Sequence, residues 1–205
     1  MNVELTIENL SKNGIDACLV KTRQEVLKKV KNYLKNGDKV AMGGSLTLSE
    51  CGIVELLQSG EYNFIDRKTS SIEESYSADV YFSSCNAITE NGELYNVDGN
   101  SNRISAIAHG PKSVVMVVST NKIVKNLDDA IYRVKTICAP LNTKRLNCDT
   151  YCNKNGKCVS LLKEHPFMTD GCDSPSRICC NYLVSAKQRH IGRIKVILVE
   201  EELGY

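Results

Sequence analysis

Six of the ten cysteines fall in one window: Cys148, Cys152, Cys158, Cys172, Cys179 and Cys180. Gly156, Gly171, Pro166 and Pro175 share it, so the window is rich in loops. Thiols gathered in such a stretch are either a disulfide staple or a metal site. The opening residues, MNVELTIENLSKNG, include acids and no apolar run, so they do not read as a signal peptide. The expected location is therefore the reducing cytoplasm, where lasting disulfides are rare. Metal binding becomes the leading role for the window. Reduced thiols, some acting as small core hydrophobes, are the plain alternative. Four thiolates suit tetrahedral zinc or an iron–sulfur cluster. The window lacks the paired Cys-x2-4-Cys knuckles of structural zinc, and its looser spacing fits a cluster slightly better.

Two polar motifs lie outside that window. Lys39-Val40-Ala41-Met42 followed by Gly43-Gly44-Ser45-Leu46-Thr47 reads as a strand, a glycine turn and a helix start. Two glycines let backbone amides approach an anion, and a helix N-terminus adds partial positive charge. A tight turn capped by Ser45 or Thr47 is the plain alternative. The stretch Thr89 to Arg103 holds Asn91-Gly92, a hairpin signal, and a second turn at Asp98-Gly99. Its turns would gather Glu90, Asn96, Asp98, Asn102 and Arg103 around one loop system; a solvated hairpin is the alternative.

These motifs need a frame. The spacing of Val26, Val30, Tyr33 and Leu34 predicts a helix over 22–35, closed by Asn36-Gly37. Strands are expected at 39–42, 62–65, 78–82, 113–118 and 194–199, with helices at 47–57 and 127–138. The nearly all-apolar Ser113–Val118 is what a strand buried on both faces requires. Such alternation predicts an α/β fold with a mostly parallel sheet covered on both sides. Residues 141–181 alone break the pattern and read as an insertion before the closing strand.

With 26 basic and 24 acidic residues the overall field favours neither nucleic acid nor an acidic surface. No run approaches the roughly 18 apolar residues of a membrane span. Neither nucleic acid nor a membrane is an expected partner. The oligomeric state is left open.

The blocks GGSLTLSECGIVELL, ITENGELYNVDGNSNRI, HGPKSVVMVVSTNKIV, RVKTICAPLNTKRL and KVILVEEELGY, in that order, resemble the LUD family. This is the lactate-utilisation or DUF162 group that includes the LutC and YkgG proteins. The resemblance spans about Gly43 to Tyr205. It implies a three-layer sandwich similar to the NagB/RpiA/CoA-transferase superfamily, built as one domain over 1–205 with a cysteine-rich metal-binding insertion at 146–181. It also implies a bacterial cytoplasmic protein connected with oxidation of lactate or a related small organic acid.

The resemblance assigns roles. Gly43, Gly44 and Ser45 match the family's glycine turn, and Glu90, Asp98, Asn102 and Arg103 its polar loop. Glu90 is the expected general base or carboxylate nucleophile, with Asp98 beside it; a salt bridge from either to Arg103 is the bland alternative. Arg103, Lys122 and Arg145 are the expected partners of a ligand carboxylate. One branch of the family carries Cys-x5-Cys, Cys-x2-Cys and Cys-x6-Cys before the last strand. Cys152/Cys158 and Cys172/Cys179 keep the outer spacings, while thirteen residues replace the middle two. Those four are the expected ligands of a [4Fe–4S] cluster or zinc, in a loop separate from the anion site.

The first function expected is an accessory subunit in acid oxidation, binding a small anionic organic acid and docking redox partner proteins. The second is a standalone acyl/CoA-transferase- or isomerase-like enzyme with a structural metal. A ligand-sensing or structural protein without turnover is third.

Overall fold

The centre of the molecule is built by strands whose alternate residues face opposite layers. A computed structural model describes residues 1–205. Its main sheet comprises β1 (Asp16–Val20), β2 (Lys39–Met42), β3 (Asn63–Ile65), β4 (Val80–Ser83), β7 (Ser113–Ser119) and β10 (Ile194–Val199). All pairs are parallel, in the order β1-β10-β7-β4-β2-β3. Val114, Met116 and Val118 of β7 enter one core with Val196 and Leu198; Val115 and Val117 enter the other with Ile197 and Val199. Each such residue is fully buried or nearly so. Full burial is worth roughly 1.5–3 kcal/mol per large aliphatic side chain, which makes this strand pair the sheet's anchor.

Helices close both faces. One core takes Leu10 of α1 (Val3–Lys12) and Ile107 of α6 (Asn102–Ala108). The other takes Val26 and Val30 of α2 (Arg23–Lys31), Leu48 of α3 (Leu46–Glu50) and Leu57 of α4 (Ile53–Leu57). This is the three-layer α/β sandwich that the alternation predicts. A short helix, α5 (Ile72–Tyr76), precedes β4 and carries a capping box from Ser71 and Glu74.

A second sheet of β5 (Ala87–Thr89), β6 (Leu94–Asp98), β8 (Ile123–Val124) and β9 (Asn181–Ser185) runs in the order β8-β5-β6-β9. The β5–β6 pair is the hairpin foreseen around Asn91-Gly92. Tyr95 and Val97 pack from this sheet onto Ala130, Val134 and Cys138. Those three belong to a long helical run: α7 (Leu127–Arg133), a π turn (Val134–Cys138) and α8 (Ala139–Arg145). The cysteine-rich segment then holds α9 (Tyr151–Asn155) and a 3-10 turn (Val159–Leu162) before β9 returns to the small sheet. No helix is long and apolar enough to cross a membrane.

Candidate functional site

Parallel sheets bind ligands beyond the carboxyl ends of their strands. Here the segments following β2, β3, β4, β7 and β10 deliver Gly44–Thr47, Arg67, Ser84–Asn86, Lys122 and Gly204–Tyr205 to one cleft of about 490 Å³. The end of β6 adds Val97, Asp98 and Gly99, and α8 adds Asn142 and Arg145. The lining carries five cations (Arg67, Arg103, Lys122, Arg145, Arg177) against one side-chain carboxylate, Asp98. Its electrostatic preference is for an anion.

The cations are not equivalent. Arg103 is spent on the protein: Nη1 donates to Ser84 O (3.2 Å) and Asn96 Oδ1 (2.6 Å), and Nη2 to Asn86 Oδ1 (3.0 Å) and Val97 O (2.8 Å). The fork ties the loop after β4 to β6, so Arg103 is a brace rather than a free anion partner. Arg145 is exposed and donates to Asn142 Oδ1 (2.7 Å) and the Tyr205 hydroxyl (2.9 Å). Arg177 braces the cysteine loop through Thr169 O (2.7 Å), Cys179 O (3.0 Å) and the Tyr182 hydroxyl (3.1 Å). Arg67 is exposed and makes no hydrogen bond or ion pair within the chain. It is the cation most available to a ligand.

The glycine turn explains Arg67's position. A Cβ on Gly44 would sit 2.6 Å from Arg67 Nη1, and one on Gly43 would sit 3.0 Å from Arg103 Cγ and the Tyr81 hydroxyl. The two glycines make room for arginines, with Gly43 beneath the cleft and Gly44 in its wall. Ser45 is the N-cap of α3, its hydroxyl accepting from Leu48 N at 3.3 Å. The adjoining Thr47 hydroxyl instead accepts from Lys122 Nζ at 2.9 Å.

The expected acids fare differently. Asp98 lines the cleft, but its Oδ2 accepts the backbone N–H groups of Arg103 (2.9 Å) and Ile104 (3.2 Å). It starts α6, whose nominal cap residue Ser101 has φ 61° and makes no side-chain cap. No Asp98–Arg103 side-chain ion pair forms. Glu90 corrects the sequence expectation outright. It lies outside the cleft lining, and its carboxylate accepts the backbone N–H of Asn2 at 2.7 Å while its carbonyl accepts from Asn9 Nδ2 at 2.8 Å. Glu90 docks the N-terminal helix and is not part of the cleft lining. Asn102 is at the rim, exposed.

Cys152, Cys158, Cys172 and Cys179 line a single narrow pocket of about 20 Å³, while Cys148 and Cys180 do not. The remaining walls are almost wholly apolar: Tyr95, Ile131, Val134, Val159 and Met168 among them. Cys152 Sγ lies 3.4 Å from Thr150 Oγ1, and Cys158 Sγ 3.3 Å from Ser160 Oγ. Burial pushes the Cys179 thiol up, opposed by the Arg177 guanidinium. Beneath the pocket the buried Lys135 donates to Ser160 Oγ (2.7 Å), Phe167 O (2.8 Å) and Asp170 O (2.9 Å), which ties the long loop together. No three His, Cys, Asp or Glu side chains are converged closely enough to hold a metal ion as placed. The donor chemistry fits a thiolate-held group. The pocket of about 20 Å³ is small, and its four cysteines are the only His, Cys, Asp or Glu side chains that line it.

One expectation about layout changes. Arg177 and Ile178, from the cysteine window, are part of the anion cleft's wall. The two sites are neighbours sharing a loop, not separate regions. Arg67 was missed altogether, although a cation two residues beyond an expected strand (62–65) was the available signal.

The sequence profile of the LUD domain matches residues 3–199. A crystal structure of a DUF162 family protein from Deinococcus radiodurans shares 14% identity with a TM-score of 0.57, covering 97% of this chain and 96% of that one. That likeness establishes the fold. No curated protein matches the sequence.

Proposed function

Starting from a chain that belongs to the LUD domain family, we propose that it serves the oxidation of lactate or a related small organic acid as an accessory subunit. The acid, or its oxidised product, occupies the cleft at the sheet's carboxyl edge. One observation carries this reading: four arginines and one side-chain carboxylate line that cleft, and Arg67 among them has no partner in the protein. Arg145, held by Asn142 and Tyr205, offers a second carboxylate contact in the same cleft. Arg103, Asp98 and Ser45 shape the cleft without meeting the ligand's charge.

Cys152, Cys158, Cys172 and Cys179 are the residues that would hold zinc or a [4Fe–4S] cluster, the latter supplying one-electron transfer and the former a structural tie. Their shared pocket and its dry walls support that assignment. Redox partner proteins would dock on the outer face of this loop. The alternative of a standalone acyl/CoA-transferase- or isomerase-like enzyme loses its nucleophile, because Glu90 is committed to Asn2 and Asn9.

Calorimetric titration with lactate and with pyruvate, beside a neutral analogue, tests the cleft. Binding of either acid and not of the analogue is expected; silence towards both acids rejects the reading. Anaerobic purification with an absorption spectrum and metal analysis tests the thiol pocket. A colourless protein with stoichiometric zinc would remove electron transfer from the proposal.

A further inference from the structure

Lys122 differs from the other cleft cations in burial and in company. It ends the 3-10 turn Thr120–Lys122 that follows β7, and only 2% of its surface is exposed. Nζ donates to Thr47 Oγ1 at 2.9 Å and to Ser84 Oγ at 3.4 Å. No carboxylate forms an ion pair with it. The nearby thiols supply no counter-charge, since burial pushes Cys85 up to about 12 and raises Cys138 as well. A buried ammonium with only hydroxyl partners is costly, and desolvation favours the neutral amine. Burial accordingly lowers the Lys122 pKa from the ordinary lysine value.

The surroundings look built for the amine's approach to the cleft. A Cβ on Gly204 would stand 3.2 Å from Nζ and 2.5 Å from Thr47 Oγ1, so that wall must be glycine. Lys122 lines the cleft with only hydroxyls as partners, and once its amine is deprotonated it is a nucleophile towards a carbonyl carbon. An electrostatic anchor for a carboxylate is already provided by the unpartnered Arg67, packed on Gly44 and lining the same cleft as Lys122.

We propose that Lys122 forms an imine with a 2-oxo acid in the cleft, with Arg67 holding the acid's carboxylate. The proposal rests on the reading of the cleft as an organic-acid site and narrows it to acids with an adjacent ketone. The Nζ lone pair attacks the ketone carbon and a C–N bond forms as the C=O π pair moves onto oxygen. That oxygen takes a proton given up by the nitrogen, through the Thr47 or Ser84 hydroxyl, each able to donate and accept. The resulting carbinolamine loses its hydroxyl as water when the nitrogen pair closes C=N and the second N–H proton leaves. Amine and ketone become imine and water, with no change in oxidation state. A 2-hydroxy acid has no ketone, and its carboxylate carbon does not form an imine.

The test is reductive trapping. The purified protein is incubated with pyruvate and sodium cyanoborohydride, which reduces imines in preference to ketones, then analysed by intact mass and peptide mapping. One adduct per chain, mapped to Lys122, is expected; lactate gives none, and the Lys122→Met variant gives none. Pyruvate that binds by calorimetry yet leaves Lys122 unmodified, or adducts scattered over surface lysines, overturns the imine and leaves the acid-binding cleft standing. No adduct together with no binding of pyruvate or lactate overturns both. Because the mapping is done on the unaltered chain, a variant that fails to fold does not blunt the result.

Discussion

Replacing Arg103 separates a brace from a ligand residue. Its guanidinium reaches four acceptors, two of them backbone carbonyls, at 2.6–3.2 Å. Hydrogen bonds to a charged donor are worth about 1.5–3 kcal/mol each, but four bonds to one group do not add. Ser84 O and Asn86 Oδ1 keep second donors in Ser83 Oγ and Val97 N, so removing the hub strands chiefly Asn96 Oδ1 and costs roughly 1–3 kcal/mol. Asn96 sharpens the cost. It is fully buried, its Nδ2 already lacks a partner, and its Oδ1 depends on Arg103. Arg103→Met is therefore expected to lose about 1–3 kcal/mol, read as a fall in the urea midpoint at unchanged slope. At about 2–4 °C per kcal/mol for a chain of this size, that is a drop of roughly 2–12 °C in Tm. Arg103→Lys should recover little, since an ammonium cannot reproduce the planar fork. A loss below about 1 kcal/mol, with acid binding abolished, would refute the brace and return Arg103 to the ligand.

Arg67→Ala should leave stability within about 0.5 kcal/mol while weakening acid binding by about 10- to 100-fold, since one charge-assisted contact disappears; titration calorimetry and thermal melts check the split. Burial lowers the Lys122 pKa in the folded chain below the ordinary lysine value of 10.5, so the unfolded chain binds protons more readily and stability should rise as pH climbs through the folded value towards 10.5. Lys122→Met should abolish that alkaline rise, measured as urea midpoints from neutral to strongly alkaline pH. Among the thiols, Cys158→Ser and Cys179→Ser should each cut bound metal per chain, whereas Cys148→Ser and Cys180→Ser should not, as measured by elemental analysis of anaerobically prepared protein.

The parts of the fold legible in the sequence are those decided by local pattern. Lys39–Met42 and Ile194–Val199 fall where expected, and Ser113–Ser119 differs by one residue, because apolar runs bounded by turns leave few alternatives. The helix expected over 47–57 is broken at Gly52, whose φ of 70° belongs to the left-handed region. The helix expected to end at 138 continues to Arg145. Pro140 cannot donate to a carbonyl one turn back, and the wider π turn at Val134–Cys138 lets the chain pass the proline instead of stopping. Strands of two to five residues in the second sheet carry too little periodicity to be seen singly. The candidate site divides the same way. Gly44, Ser45, Asp98, Asn102, Arg103, Lys122 and Arg145 reach the cleft because each follows or precedes a recognisable element. Glu90 was misread because its partner Asn2 is 88 residues away, a contact no local pattern announces.

The contact that most changes how the molecule reads is made by Arg177. Its guanidinium holds the carbonyls of Thr169, Cys172 and Cys179, and its own segment, with Ile178, forms part of the anion cleft. The backbone of Ile178 also packs against Gly99, where a Cβ would meet Ile178 Cα at 3.3 Å, so this loop is pressed onto the end of β6 with little slack. A close-packed contact of this kind transmits displacement rather than absorbing it. Cys172 and Cys179 line the thiol pocket while Arg177 and Ile178 between them line the cleft, so a group held by those thiols and an acid held in the cleft would share one short arm of chain. Any coupling between two such binding events would be reciprocal.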